Sequence, residues 1–257
     1  MSSAPVRIAF VHHARTRNTG DSWSTPALHF PWPAHRILHL RDPVPPCDAV
    51  IYGGGVIHGQ LVRDRIHLAA PARIRIAWGI GVSAKDGRRP QDIPLPGGFD
   101  LIGVREFGRE AQSPAALHVP CASCMLPQFD RPWPVTRAVV GFVNADPNRP
   151  APDLGDLPVL ANDRPLEEVI AWLGSAEVVV TNSYHGAYWA TLLGRRVVCI
   201  PYSSKFHGFR FPPAMATAET WREAIRDAPR HPEALETCRA LNRAFYARVR
   251  ALIGVAD

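Results

Sequence analysis

Short apolar runs rich in β-branched residues recur along this chain, and several end on glycine or a small polar turn before a helical pattern begins. Few folds accommodate that alternation. The pattern predicts strands over 6–11, 49–52, 73–78, 100–104, 116–119, 137–143, 177–181 and 196–200. Most are almost continuously apolar, as parallel strands covered on both faces are. Between them, Asp163 can cap a helix with Pro165 in its first turn, Glu167 and Glu168 near its positive end and Gly174 just past its close. A second helix is predicted from near His185 to Gly194, and a third follows Thr217 through Trp221 and Ile225. The last, over about 232–253, sets Leu235, Cys238, Leu241, Phe245, Val249 and Leu252 at spacings of three and four, an amphipathic stripe. Strand–helix–strand order throughout predicts the α/β class with mainly parallel sheet. The proline-rich stretch 126–134 reads as a linker. It divides the chain into domains at 1–125 and 135–230, with a closing helix at 231–257. Each half then forms one doubly wound sheet, with the cleft between the halves at the carboxyl ends of the strands.

A chain of 257 residues has room for one large domain or two small ones. Apolar residues at 46% and charged residues at 20% suit a packed core and exclude wholesale disorder, collagen and coiled coil. The 26 prolines are about twice the usual share of roughly 5%. They cluster at Pro31, Pro33, Pro43, Pro45 and Pro46, then at Pro147, Pro150 and Pro152, as loop stiffeners without a repeat. No apolar stretch approaches the roughly 20 residues of a membrane span. The start, Met1-Ser2-Ser3-Ala4-Pro5, lacks the basic cap and apolar run of a secretory signal, so the expectation is a cytoplasmic protein. The formal charge is +6, and only Lys85 and Lys205 among the basic residues are lysine. Such a bias accompanies a GC-rich genome. Arginine also grips carboxylate and phosphate bidentately, which suits an anionic small substrate or a lipid headgroup. No basic run with interleaved aromatics stands out, so no nucleic-acid partner is expected. Five cysteines are an odd number without the density of a disulfide scaffold. Cys121-Ala-Ser-Cys124 has metal-ligand spacing but no second pair, leaving a metal or redox role beside a purely structural one.

Five segments carry candidate chemistry. Asn18-Thr19-Gly20-Asp21 follows the first strand. It is either a turn with a helix cap or a place where backbone N–H groups meet a ligand. Gly53-Gly54-Gly55 ends the second strand and could form an anion-binding nest, with His58 within reach. It matches neither dinucleotide fingerprint nor phosphate loop. Trp78-Gly79-Ile80-Gly81 is a third strand end, and Val104-Arg105-Glu106 a fourth. Arg105 emerges where an anion would sit, or else pairs with Glu106 at the surface. In the fifth, the buried run Val178-Val179-Val180 delivers Thr181-Asn182-Ser183-Tyr184-His185-Gly186. A histidine opening a helix after a strand, with a glycine allowing close approach, suits acid–base work on an anion. Downstream, Tyr202, Lys205 and His207 return to the same sheet edge.

Taken in order, these segments resemble the polysaccharide pyruvyl transferase family: Asn18, Gly20 and Asp21; Gly53–Gly55 with Val56-Ile57-His58; Trp78–Gly81; Val104-Arg105; and Ser183, His185 and Gly186 before a helix and an apolar strand. The likeness spans roughly residues 6 to 210. Many members carry arginine where this chain has Ser183, and the branch of exopolysaccharide ketal-pyruvate transferases shows serine there. Some relatives have a Gly-Asp-Pro stretch where this chain has Pro120-Cys121-Ala122-Ser123-Cys124. The resemblance implies a GT-B-like fold of two Rossmann-like halves with a C-terminal helix packed back on the first, the first half on the acceptor side and the second on the donor side. It further implies phosphoenolpyruvate as donor, a saccharide acceptor that can be lipid-linked, and a pyruvate ketal destined for surface or exopolysaccharide. On this basis His185 and Asp21 are expected as catalytic groups. Arg105, Asn18, Gly20, Gly54, Gly55, His58, Ser183, Gly186 and Lys205 are expected to bind substrate, with no metal or other cofactor required. A lipid-linked acceptor would bring the protein to the inner face of the plasma membrane, where Arg239, Arg243, Arg248 and Arg250 of the last helix either meet anionic lipid or form a solvated face. Two other functions share this architecture: a glycosyltransferase using a nucleotide sugar, and a non-catalytic saccharide-binding relative.

Overall fold

A computed structural model describes residues 6–148 and 151–255. Met1–Pro5, whose lack of a signal pattern bore on location, and Pro150 of the second proline cluster lie outside the described residues. The first sheet contains β1 (Ile8–His12), β2 (His35–His39), β3 (Cys47–Gly53), β4 (Ala72–Ile80), β5 (Leu101–Val104) and β6 (Ala116–His118). Their order is β2-β1-β3-β4-β5-β6, with every neighbouring pair parallel. The second sheet contains β7 (Arg137–Val143), β8 (Val159–Ala161), β9 (Ala176–Thr181), β10 (Arg196–Cys199) and β11 (Ala214–Met215). It runs β8-β7-β9-β10-β11, again all parallel. Both sheets therefore share one doubly wound order, which reverses direction at β1/β3 and at β7/β9. The molecule is α/β with two Rossmann-like halves, and crevices beyond the carboxyl ends at such reversals are where these folds hold ligands.

The helices are α1 (Thr19–Ser22), α2 (His58–Val62), α3 (Leu166–Gly174), α4 (Tyr184–Leu192), α5 (Trp221–Ala224) and α6 (Ala234–Ile253). Apolar side chains cover both faces of each sheet in four clusters, which explains the continuous apolar strands such as Val178-Val179-Val180. Strands β2, β8 and β11 were not expected. The first is an exposed edge reading His-Arg-Ile-Leu-His, and the other two span only three and two residues, too short for a periodic signal.

Several helix ends differ from expectation. Asp163 does not cap α3: Pro165 holds the cap position without a side-chain hydrogen bond, and Gly174 is the last helical residue. Helix α5 ends at Ala224, short of Ile225. On α6 the buried face is Cys238, Asn242, Phe245, Val249 and Ile253, whereas Leu252 is exposed. The stripe carries a polar residue because Asn242 has work there: its Oδ1 accepts from Trp78 Nε1 at 2.9 Å and its Nδ2 donates to the Pro120 carbonyl at 3.1 Å. Arg239, expected on the solvent or lipid side, is buried. It donates to the Cys124 carbonyl at 3.0 Å and to Asp130 at 2.6 Å, which removes it from any lipid-facing set. The stretch 126–134 is a packed connector: Leu126 and Phe129 are buried in the second half's core, and Trp133 packs against it.

Candidate functional site

Where the carboxyl ends of the two sheets meet, the chain encloses a cavity of about 560 Å³. The first half contributes the turn after β1 (His13, Asn18, Asp21), Val56 and Gln60 after β3, Ser83 after β4 and Arg105 after β5. The second contributes Asn144 and Asp146 after β7, Asn162 after β8, Ser183–His185 after β9, and Tyr202 with Lys205 after β10. Each is at or just beyond a strand's carboxyl end, where a parallel sheet delivers its loops.

Arg105 and His185 stand on this one cavity, eighty positions apart in sequence and from opposite sheets. Arg105 is buried, its guanidinium carbon 3.7 Å from the centre of the Tyr184 ring. Its Nη2 donates to Glu106 Oε1 at 3.3 Å, so the pairing with Glu106 exists but lies wholly inside the protein. Glu106 is otherwise occupied by the Val82 N–H at 3.0 Å and by Arg109 Nη1 at 3.4 Å. Arg105 Nε is buried and has no protein partner. A buried donor without an acceptor costs free energy comparable to a lost hydrogen bond, and an anion would relieve it. The glycines of Trp-Gly-x-Gly make this possible in two ways. Gly79 adopts a left-handed φ of +59°, and a Cβ on Gly81 would stand 2.2 Å from Arg105 Nη2.

His185 sits in the first turn of α4, whose cap is Ser183: the Ser183 Oγ accepts from the Gly186 N–H at 3.3 Å. Burial drives the imidazole well below its ordinary pKa, and the charges of Arg105 and Lys205 push the same way. It is therefore neutral at pH 7 when no ligand is present. Lys205 is buried and its Nζ donates to the Tyr202 hydroxyl at 2.5 Å. The carboxylates on the lining differ: Asp21 and Asp146 are half-buried and Asp163 is exposed. The buried charges on the wall are thus the cations Arg105 and Lys205, and the acids are the more solvated groups.

The motif at 18–21 is explained from both sides. Asn18 Oδ1 caps α1 by accepting from the Gly20 N–H at 3.0 Å, and its Nδ2 donates to Asp21 Oδ2 at 3.0 Å. Gly20 is packed so closely on His185 that a Cβ would lie 2.1 Å from Nδ1. Gly186 packs on Phe142 and Thr181 rather than on the cavity.

Five expected binding residues are not on the lining: Gly20 and Gly186, and also Gly54, Gly55 and His58. Gly54 N–H donates to the Trp78 carbonyl at 3.2 Å, Gly54 packs against Ser24, and Gly55 against Asp21. His58 lies against Arg109 Nη2 at 3.5 Å; burial first, then Arg109, lowers its pKa to about 4. Residues that the sequence did not single out also line the cavity, among them Gln60, Asn144, Asp146 and Asn162. Asn144 and Asp146 follow a strand that was legible, so their position after β7 was the available signal. The cysteine pair is buried and free of disulfides, and among the described residues no group of three or more histidine, cysteine or acidic side chains is arranged to hold a metal.

The family model for polysaccharide pyruvyl transferases matches residues 7–204. Among solved structures, the chain is similar to a functionally uncharacterised protein of Klebsiella pneumoniae subsp. pneumoniae at 17% identity and a TM-score of 0.49, over 76% of this chain and 83% of that one. It is also similar to the wall teichoic acid polymerase TagF at 10% identity and a TM-score of 0.41, over 94% of this chain and 82% of that one. No curated protein matches it. No helix among the described residues is long and apolar enough to cross a membrane.

Proposed function

Since the chain belongs to the polysaccharide pyruvyl transferase family, we propose that it transfers pyruvate from phosphoenolpyruvate to two hydroxyls of a saccharide, forming a cyclic ketal in surface or exopolysaccharide synthesis. One observation carries this reading: a buried arginine with an unsatisfied Nε and a buried histidine share one cavity between the two sheets. Arg105 and Lys205 hold the donor's carboxylate and phosphate. Those negative charges offset the cations that keep His185 neutral, so the ring takes up a proton as the donor binds. His185 then protonates the methylene carbon, and the central carbon becomes an oxocarbenium electrophile. The first sugar hydroxyl adds and gives up its proton to Asp21. The C–O bond to phosphate breaks, inorganic phosphate departs, and the second hydroxyl adds and returns its proton to His185 to close the ketal. Asn18 fixes Asp21, and Ser183 fixes the turn that presents His185. We assign the acceptor to the first half, which carries Asp21, and the donor to the second, with Arg105 reaching across. The acceptor is a saccharide unit, free or lipid-linked.

Protein incubated with phosphoenolpyruvate and a panel of saccharides should release inorganic phosphate only when an acceptor is present. His185→Ala should abolish that release while leaving the circular dichroism spectrum unchanged. Absence of acceptor-dependent release across a broad panel sinks the reading. Heat protection by a nucleotide and none by phosphoenolpyruvate would replace it with glycosyl transfer. Heat protection by a glycan, without phosphate release under any condition, would make the protein a saccharide binder.

A further inference from the structure

His185 Nε2 is not directed at open space but lies 3.5 Å from Cys121 Sγ. Cys121 Sγ in turn lies 3.1 Å from Ser123 Oγ, and Ser123 Oγ accepts from Trp189 Nε1 at 2.9 Å. All four side chains are buried, with Ser123 and Trp189 wholly so. Among the described residues the Ser123 hydroxyl has no other side-chain partner.

The direction of this row follows from what each group can do. An indole N–H only donates, so Ser123 Oγ must accept from Trp189. The Ser123 hydroxyl hydrogen then finds its acceptor in Cys121 Sγ, and the Cys121 thiol hydrogen finds its own in His185 Nε2. Three hydrogens meet three acceptors. Reversing only the last link would leave the thiol hydrogen without an acceptor, and reversing the last two would leave the serine hydrogen without one, each at the cost of an unmade buried hydrogen bond.

We propose that the row Trp189–Ser123–Cys121 fixes neutral His185 as the tautomer that carries its hydrogen on Nδ1, with Cys121 as its positioning residue. When the ring becomes cationic, Nε2–H donates to the sulfur and the thiol hydrogen swings aside, so Nε2 stays engaged and Nδ1 stays protonated. Nδ1 is therefore the nitrogen left to act on a ligand. It lies against Gly20, whose missing Cβ allows that close approach, on a ring that lines the cavity. That Nδ1–H is the proton delivered to the donor's methylene carbon rests on the pyruvyl-transfer reading; the tautomer does not. Within the C-x-x-C segment, Cys121 is thus a thiol oriented at a histidine.

The test is histidine side-chain ¹⁵N NMR on the ligand-free protein, with the His185 signals assigned by their loss in His185→Asn. The wild type should show a pyrrole-type Nδ1 and a pyridine-type Nε2. Cys121→Ser, which can still accept and donate, should keep that pattern. Cys121→Ala and Ser123→Ala should each give a mixture of tautomers, two independent variants in case one fails to fold. In turnover, Cys121→Ala should lower kcat by about tenfold or more with the KM for phosphoenolpyruvate within about twofold, and Cys121→Ser should restore most of it. A pyridine-type Nδ1 in the wild type, or an unchanged tautomer in folded Cys121→Ala, overturns the proposal. The expected tautomer in a protein that turns over no acceptor leaves the proposal standing and overturns the transfer reading instead.

Discussion

At the scale of single residues, the room that Arg105 occupies is set by a missing side chain. Gly81→Ala would place a methyl group 2.2 Å from Nη2, and Arg105, held over Tyr184 and beside Glu106, would have to leave its position. Overpacking of this kind costs about 1–3 kcal/mol, so the variant should fold with a lowered Tm. The stabilisation that phosphoenolpyruvate gives the wild type in a thermal shift should vanish with it. Retention of that shift would show that the donor is held elsewhere. Arg105 and His185 were legible in the sequence because each follows an apolar strand, and a parallel sheet brings the carboxyl ends of its strands to one edge. His58 misled for the same reason: it also follows a strand end, but its ring is taken by Arg109 behind the site. The contact of Cys121 with His185 was not legible, since 64 residues separate them and the local spacing left metal, redox and structural roles open.

At the scale of elements, α6 decides how the two sheets are held. Its Ala234 and Cys238 belong to the core of the second half, and its Phe245, Val249 and Ile253 to that of the first. Phe245 packs edge-on against Trp78 with ring centres 4.8 Å apart. Phe245→Ala should cost about 3–5 kcal/mol, read as a lower urea midpoint without a change in slope. A loss under about 1 kcal/mol would mean that the first sheet holds together without the helix. The helix itself was readable from its spacing, but its buried face was misjudged by one residue in several turns. Apolarity alone chose Leu241 and Leu252, whereas hydrogen bonding to Trp78 and Pro120 turns Asn242 inward. The strands that escaped notice are those whose pattern is too short or too polar to carry a period.

At the scale of the whole molecule, acid should weaken the first half. His12, His58 and His118 are all buried there, and burial is the main cause that brings each to a pKa of about 4. In the unfolded chain a histidine titrates near 6.5, so between about pH 6.5 and 4 the unfolded state binds more protons. The stability these groups contribute is present in full above pH 6.5 and is lost as pH falls toward 4. At pH 5.5 each accounts for roughly 1.4 kcal/mol, or about 4 kcal/mol for the three relative to pH 8. Urea unfolding at pH 8, 6.5 and 5.5 measures this, and a flat profile would refute the burial of these rings. The two-sheet plan itself was legible, because the order of strands and helices is local and doubly wound halves follow from it. The enclosure between them was legible only as a cleft; in its second wall the place of Asn162 depends on where β8 pairs, and that is a long-range choice.

Because α6 completes both cores, neither half can reach its final state until that helix has left the ribosome. Trp78 and the Cys124 carbonyl wait for Asn242 and Arg239, which emerge from the ribosome some 160 and 115 residues later. Until then a nascent chain carries two unfinished hearts, which α6 closes together as a single latch.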